Sequence, residues 1–304
     1  MTRESIPEGR RFVVIMPSRD EDRMIGSAIE TLANQTIPPA ELVIVNDGST
    51  DRTGEIADDA AERYDWVTVV HREDRGVRKL GGGVIDAFNE GMAALRTDDY
   101  QYLCKFDADI TLPTGYFAWC MDHMDADPEL GSVSSKVFGP DEQGNKHYEE
   151  SIIDDMVAGQ VKFYRRECFE DIGGFVAEIM WDGIDFHTCR MKGWKTRSIR
   201  DENIYILHHR LMGSSHKNIF VGRLRWGRGQ WFMGTHPLYV IASGVFRMRE
   251  RPFVIGGLLI IAGYFRAWIR GERRYEAGDF RKHLHAWQLK RLRLGFLAPK
   301  VDAP

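Results

Sequence analysis

The strongest constraint on the fold is a series of short apolar runs, spaced by helical patterns, that stop on acidic residues. Phe12-Val13-Val14-Ile15-Met16 and Leu42-Val43-Ile44-Val45 carry no polar position and are rich in β-branched residues. That is the signature of strands covered on both faces by helices, as in a parallel sheet. Residues 66–70 and 101–106 repeat it more weakly. Between them, Met24, Ile25, Ala28, Ile29 and Leu32 fall at helical spacing, and helices are expected over residues 22–34, 52–64 and 84–95. Alternation of strand and helix predicts right-handed βαβ units and an α/β, doubly wound, mostly parallel sheet.

In such sheets ligands bind outside the carboxyl ends of the strands. Asp20, Asp47 and the pair Asp107 and Asp109 all fall on that edge. Asp107-Ala108-Asp109 closes the run Tyr102-Leu103-Cys104-Lys105-Phe106. Two carboxylates one residue apart repel each other and lose solvation at a strand end, which a divalent cation or a sugar hydroxyl would relieve. An acidic turn after a strand accounts equally for the triplet taken alone. Four carboxylates from distant segments sharing one edge favour a ligand.

Other signatures narrow the ligand. No G-x-G-x-x-G follows the first strand and no G-x-x-x-x-G-K-[ST] occurs, which argues against dinucleotide and P-loop sites. Gly81-Gly82-Gly83 opens a helix, where backbone N–H groups can hold an anion. With Arg75, Arg78 and Lys79 just before it, a diphosphate fits; a solvated basic loop is the plainer alternative. The four cysteines, at 104, 120, 168 and 189, show no C-x-x-C spacing, which disfavours zinc and a disulfide framework.

These residues resemble the family 2 glycosyltransferases of GT-A fold. The resemblance runs over residues 11–200, through Val13-Val14-Ile15-Met16-Pro17, Val45-Asn46-Asp47-Gly48-Ser49-Thr50-Asp51, Asn89-Glu90-Gly91, Asp107-Ala108-Asp109 and Ile172-Gly173-Gly174-Phe175. It implies a nucleoside diphosphate sugar donor, with UDP favoured, and a lipid-linked or glycan acceptor. It implies that Asp47 meets the nucleobase, that Pro17 and Asp20 flank the nucleotide, and that Asp107 meets the ribose or the metal. Asp109 would be the principal ligand of Mg²⁺ or Mn²⁺. The family inverts the anomeric centre and presents its base as Glu-Asp at a helix start. Here Met180-Trp181-Asp182-Gly183-Ile184-Asp185 departs from that pattern, leaving Asp182 or Asp185 as the base, with Asp182 favoured at the exposed helix start. A late histidine often completes the metal site in such enzymes, and His208 or His209 could do so. Lys217, in a Gly-Ser-rich segment, is a candidate phosphate partner. Two other readings compete: a nucleotidyltransferase, and a non-catalytic sugar-nucleotide-binding scaffold suggested by Gly183.

The carboxyl-terminal part is different in character. From Arg223 onward there are 16 Lys and Arg against 5 Asp and Glu, a net +11, which leaves −15 for residues 1–222. We therefore expect a catalytic domain over 1–222 and a basic, apolar helical extension over 223–304. Residues 231–246 and 252–265 are strongly apolar, and arginines bracket the second run. It is short of the roughly 20 residues a spanning helix needs, so it reads either as an interfacial segment on an anionic membrane face or as helices packed on protein. A nucleic-acid partner is disfavoured because no recognisable binding module is present. The polar N-terminus carries no signal peptide pattern, and the expected location is the cytoplasmic face of the inner membrane.

Overall fold

The structure is a computed structural model and describes residues 6–76, 81–141, 143, 145–150, 152–209 and 219–301. The chain divides into two compact units, residues 1–177 with 192–210, and residues 178–191 with 211–304. Residues 178–191, grouped with the catalytic domain from sequence, fall in the second unit.

The first unit opens with β1 (Phe12–Ser18), α1 (Ile25–Ala33), β2 (Glu41–Asn46), α2 (Thr53–Arg63), β3 (Val67–His71), α3 (Gly82–Ala93) and β4 (Tyr102–Phe106). These follow the expected alternation to within a few residues. Strands β3, β2, β1 and β4 lie side by side and parallel. Every residue of β2 and β4 is buried, as unbroken apolar runs require. Pro17 does not end β1: the strand continues to Ser18. The β1–β4 ladder stops at the Ile15–Lys105 pair, so a residue without an N–H is tolerated beyond it. Gly91 of α3 explains the close packing of that helix. A Cβ there would lie 2.5 Å from Ile15 Cγ2 and 2.8 Å from Val45 Cγ2.

Beyond β4 the chain forms β5 (Ile110–Thr111), α4 (Tyr116–Ala126), β6 (Leu130–Ser135), β7 (Val137–Pro140), β8 (Lys146–Glu149), β9 (Val161–Arg165), α5 (Arg166–Asp171), β10 (Lys195–Ile199) and β11 (Ile206–His208). The main sheet has seven strands in the order β10-β6-β9-β4-β1-β2-β3. β9 runs antiparallel between β4 and β6, which makes the sheet mixed. A small second sheet, β5-β11-β7-β8, has its first strand, β5, directly after the Asp107-Ala108-Asp109 turn. The four cysteines are buried and form no disulfide.

The second unit is helical: α6 (Trp181–Met191), α7 (Ile219–Met233), α8 (Pro237–Arg247), α9 (Ile255–Ile269) and α10 (Phe280–Arg291). α9 packs along both α7 and α8, and α10 packs against α6. The apolar run over 231–246 is split by Gly234 in the left-handed region (φ +85°), so it forms the end of one helix and most of the next. Among the described residues no helix is long and apolar enough to cross a membrane.

Candidate active site

Asp47 follows β2 and is buried. Its carboxylate is held by two arginines: Arg72 Nη1 donates to Oδ1 at 2.6 Å, and Arg75 Nη2 to Oδ2 at 2.6 Å. Arg19 donates to the Asp47 carbonyl oxygen at 2.9 Å and to Asp74 Oδ1 at 2.7 Å. Charge-assisted pairs of this kind are roughly twice as strong as neutral hydrogen bonds. They fix the carboxylate at the carboxyl end of the central strands. Gly48 must be glycine here: its φ is +68° and a Cβ would lie 2.6 Å from Asp74 Cα.

Asp20 ties the end of β1 to the turn after β2. Its Oδ1 accepts from Thr50 N at 2.8 Å, and its own N–H donates to Ser49 Oγ at 3.0 Å. It stands at φ 55°, a region where Asp is among the few residues accommodated. Asp51 similarly caps α2, its Oδ1 accepting from Thr53 N at 2.9 Å. The Asp47-Gly48-Ser49-Thr50-Asp51 stretch is thus both a helix start and a scaffold for the edge.

Asp107 forms an ion pair with Lys105, whose buried ammonium also donates to the Gly159 carbonyl at 2.9 Å. Burial pushes the Asp107 carboxyl up; Lys105 opposes the shift and the Asp109 carboxylate adds to it. Asp109 is 7 % exposed, and its carbonyl oxygen accepts from the His209 N–H at 3.0 Å. Asp109 Oδ2 lies 3.5 Å from His208 Nε2. On the other side of that ring, His208 Nδ1 is 2.8 Å from Glu150 Oε1, while Gln160 Nε2 donates to Glu150 Oε2 at 3.1 Å. Burial alone would depress the imidazole, but bonds to Asp109 and Glu150 prevail and raise it to about 9.

This chain of contacts has a definite chemical reading. With its Nδ1–H given to Glu150, His208 turns Nε2 toward a carboxylate. A lone pair and an anion then face each other unless a proton or a metal cation stands between them. Imidazole nitrogen and carboxylate oxygen both suit Mn²⁺, and the carboxylate suits Mg²⁺. Among the described residues no group of three or more His, Cys, Asp and Glu side chains is arranged as a complete metal cage. Mg²⁺ and similar cations at phosphate-transfer sites commonly take one or two protein ligands and draw the rest from phosphate and water, so the Asp109–His208 pair fits.

His209 is turned elsewhere. Its Nε2 lies 2.9 Å from Thr111 Oγ1, and successive residues at a strand end point to opposite sides. Pro17 lies in β1 opposite Val45 of β2. Lys79 and Lys217 lie outside the described residues. Gly82 and Gly83 open α3, preceded by Gly81 at φ 78°. Arg75, expected beside a diphosphate, is committed to Asp47.

In the second unit, Asp182 sits in the first turn of α6, partly exposed, and its Oδ1 accepts from Gly183 N at 3.0 Å. Asp185 is 2 % exposed, one turn further on, with Oδ1 accepting from Phe186 N at 2.6 Å. Trp181, weighed from sequence as sugar platform or core aromatic, is likewise only partly buried. Gly183 has a packing reason for being small: a Cβ would lie 2.9 Å from Met233 Sδ.

Sequence reasoning missed Glu150, Lys105 and Arg72. Arg72 stands directly after β3, on the same edge as Asp47, which was a readable signal. Glu150 had none, because it is placed by strands of two to four residues.

The family model described as Glycosyl transferase family 2 matches residues 13–181. The PGL/p-HBAD biosynthesis glycosyltransferase of Mycobacterium tuberculosis is 28% identical over 166 residues, covering 54% of this chain and 62% of that one. The poly-β-1,6-N-acetyl-D-glucosamine synthase of Staphylococcus epidermidis is 26% identical over 127 residues, covering 42% and 28%. The chain spans only part of the length of the curated relatives it matches, from 22% of the EpsJ glycosyltransferase of Bacillus subtilis to 62% of the M. tuberculosis enzyme. Among solved structures, the mannosyltransferase PcManGT of Pyrobaculum calidifontis aligns over 95% of this chain and 88% of its own, with a TM-score of 0.53 and 16% identity. Residues 1–349 of S. aureus TarS align over 92% and 80%, with a TM-score of 0.52 and 14% identity. At such identities the structural likeness speaks for the GT-A fold. With a family match covering more than half its length, the chain belongs to glycosyl transferase family 2.

Proposed function

We propose that this protein is an inverting, metal-dependent glycosyltransferase that moves a sugar from a nucleoside diphosphate donor to a lipid-linked or polysaccharide acceptor. The observation that carries this reading is the Asp109–His208 pair, 3.5 Å apart with Glu150 behind the ring, on the sheet edge that also bears Asp47. Asp47, Pro17 and Asp20 take the nucleoside, Asp107 the ribose side, and Lys79 and Lys217 are the candidate diphosphate partners. Mg²⁺ or Mn²⁺ held by Asp109 and His208 would neutralise charge on the departing nucleoside diphosphate.

Asp182 is the proposed base. It accepts the proton of the acceptor hydroxyl as that oxygen bonds to the anomeric carbon, while the bond from that carbon to the phosphate oxygen breaks on the opposite face. Its partly exposed place in the first turn of a helix supports this over the buried Asp185. PcManGT was solved with GDP-Man and Mn²⁺ and TarS with UDP, which supports a nucleotide-sugar donor in this chain. UDP is the favoured donor nucleotide. A lipid-linked acceptor suits the basic, apolar second unit, for which we propose peripheral contact with the cytoplasmic face of a membrane.

The test is thermal unfolding with UDP, GDP or dTDP, each with and without Mn²⁺, since a ligand that binds only the folded state raises its stability. One nucleotide should shift the midpoint only when Mn²⁺ is present, and Asp109→Asn should abolish the shift together with transfer. A metal-independent shift that survives in Asp109→Asn would overturn the assignment.

A further inference from the structure

Among the described residues, every exposed large apolar side chain except Tyr148 lies between Ile219 and Leu297. Many of them gather at one end of the α7–α8–α9 assembly. α7 and α9 run in the same direction. Arg223 near the start of α7 donates to the Arg251 carbonyl at 3.1 Å, and Trp231 near its end lies 5.5 Å from Tyr264 of α9, ring to ring. The first turns of both helices and the α8–α9 connection therefore share an end. That end presents Phe220 and Val221 of α7, Val245 and Phe246 of α8, and Phe253 and Leu258 around the start of α9, each between 42% and 59% exposed. Arg249 and Arg251 rim it in solvent, with the Arg249 guanidinium 3.4 Å from the centre of the Phe246 ring.

Deepening the membrane contact proposed above, on which it rests, we infer that this apolar tip inserts into the headgroup region of an anionic phospholipid bilayer. Two observations choose lipid over a protein partner. First, the helices touch through glycine. A Cβ on Gly227 would lie 1.9 Å from the Ile260 carbonyl oxygen, one on Gly263 2.2 Å from that of Leu224, and one on Gly257 2.1 Å from that of Gly244. Helix pairs in water normally bury their large apolar residues against each other. Here Trp231, Val240, Ile260 and Tyr264 are buried, but the closest backbone approaches are made by glycines, and Phe220, Val221, Val245, Phe246, Phe253 and Leu258 are left exposed at the tip. Small residues at the closest contacts are the arrangement used where the surroundings are hydrocarbon. Second, Val254 stands at φ 60° and ψ −57°, with Ile255 N donating to Phe253 O at 2.6 Å. That is a γ-turn, strained for a β-branched residue. Glycine would relax it, yet the chain keeps a valine that is 52% exposed at the tip.

Charge and length agree with this occupant. The arginine rim complements anionic headgroups, which attract basic side chains near such a surface. α9 has 15 residues, roughly 22 Å of helix against a hydrocarbon core of about 30 Å, so the tip enters one leaflet without crossing it.

The experiment is flotation of the full chain with phosphatidylcholine vesicles, with and without phosphatidylglycerol, at physiological salt. The wild type should float with the anionic vesicles. Phe253→Glu with Leu258→Glu should lower that binding about tenfold or more, while the Mn²⁺-dependent nucleotide shift stays as in the wild type. Arg249→Ala with Arg251→Ala should remove the preference for phosphatidylglycerol. Val254→Gly is the second variant, expected to raise thermal stability and weaken vesicle binding. If the glutamate variant floats like the wild type, the tip assignment is overturned and the membrane contact stands. Wild-type protein that floats with neither vesicle overturns both. A concentration-dependent dimer that the glutamate variant loses would make a second copy of the chain the occupant.

Discussion

The buried carboxylate of Glu150 lies 2.8 Å from His208 Nδ1, and the opposite nitrogen of the same ring lies 3.5 Å from Asp109. Glu150 thereby fixes which nitrogen of His208 can face a cation, a role that partners behind a ligating histidine commonly play. Glu150→Gln keeps the shape but weakens the hold on the Nδ1 proton. We expect Mn²⁺ affinity, measured by calorimetry in the presence of UDP, to fall about 10- to 100-fold. His209→Gln, which alters a ring bonded to Thr111, should leave it essentially unchanged.

The arginines on Asp47 predict a split between stability and donor binding. Asp47→Ala leaves Arg72 and Arg75 without their shared carboxylate, and should cost about 1–3 kcal/mol in urea unfolding. Arg75→Ala leaves Arg72 in place at 2.6 Å and should cost less. Both should weaken nucleoside diphosphate binding in the thermal-shift assay, Asp47→Ala more.

His187 sets an acid limit on the second unit. It is buried among Phe186, Phe280 and Trp287, and burial, aided by Arg190, depresses its imidazole to about 3. The unfolded chain takes up this proton near pH 6.5, whereas the folded one does not until about pH 3. The stability that follows is complete above 6.5 and is lost as the pH falls from there toward 3. Between pH 7.5 and 5 the group accounts for a loss of about 2 kcal/mol. His187→Phe should flatten that part of the urea-unfolding profile.

The family resemblance implies an aspartate where this chain has Gly183, and Met233 fills the space beside it. Gly183→Asp would set a Cβ 2.9 Å from Met233 Sδ. Overpacking of this kind costs about 1–3 kcal/mol, so thermal unfolding should move down. With Asp182 as the proposed base, transfer activity should not increase. A gain in activity from Gly183→Asp would displace Asp182 as the base.

The sequence by itself determined the main sheet, because an unbroken apolar run such as Leu42-Val43-Ile44-Val45 can be satisfied only between two layers of helices. It also placed Asp20, Asp47, Asp107 and Asp109 on one edge, since strand direction alone sends the ends of parallel strands there. Tertiary structure decided what each carboxylate does. Asp20 is bonded to Ser49 and Thr50, Asp47 to two arginines, and Asp107 to Lys105, partners separated from them in two of the three cases by 25 residues or more. The choice of His208 over His209 required the register of β11 against β5 and β7, strands too short to leave a periodic trace. The glycines of α7, α8 and α9 were visible as letters, but that they lie between helices, while Phe246, Phe253 and Leu258 stay exposed at one end, is a property of the packing. Local periodicity carries information along the chain; which side chains meet across it is set by contacts that no local pattern encodes.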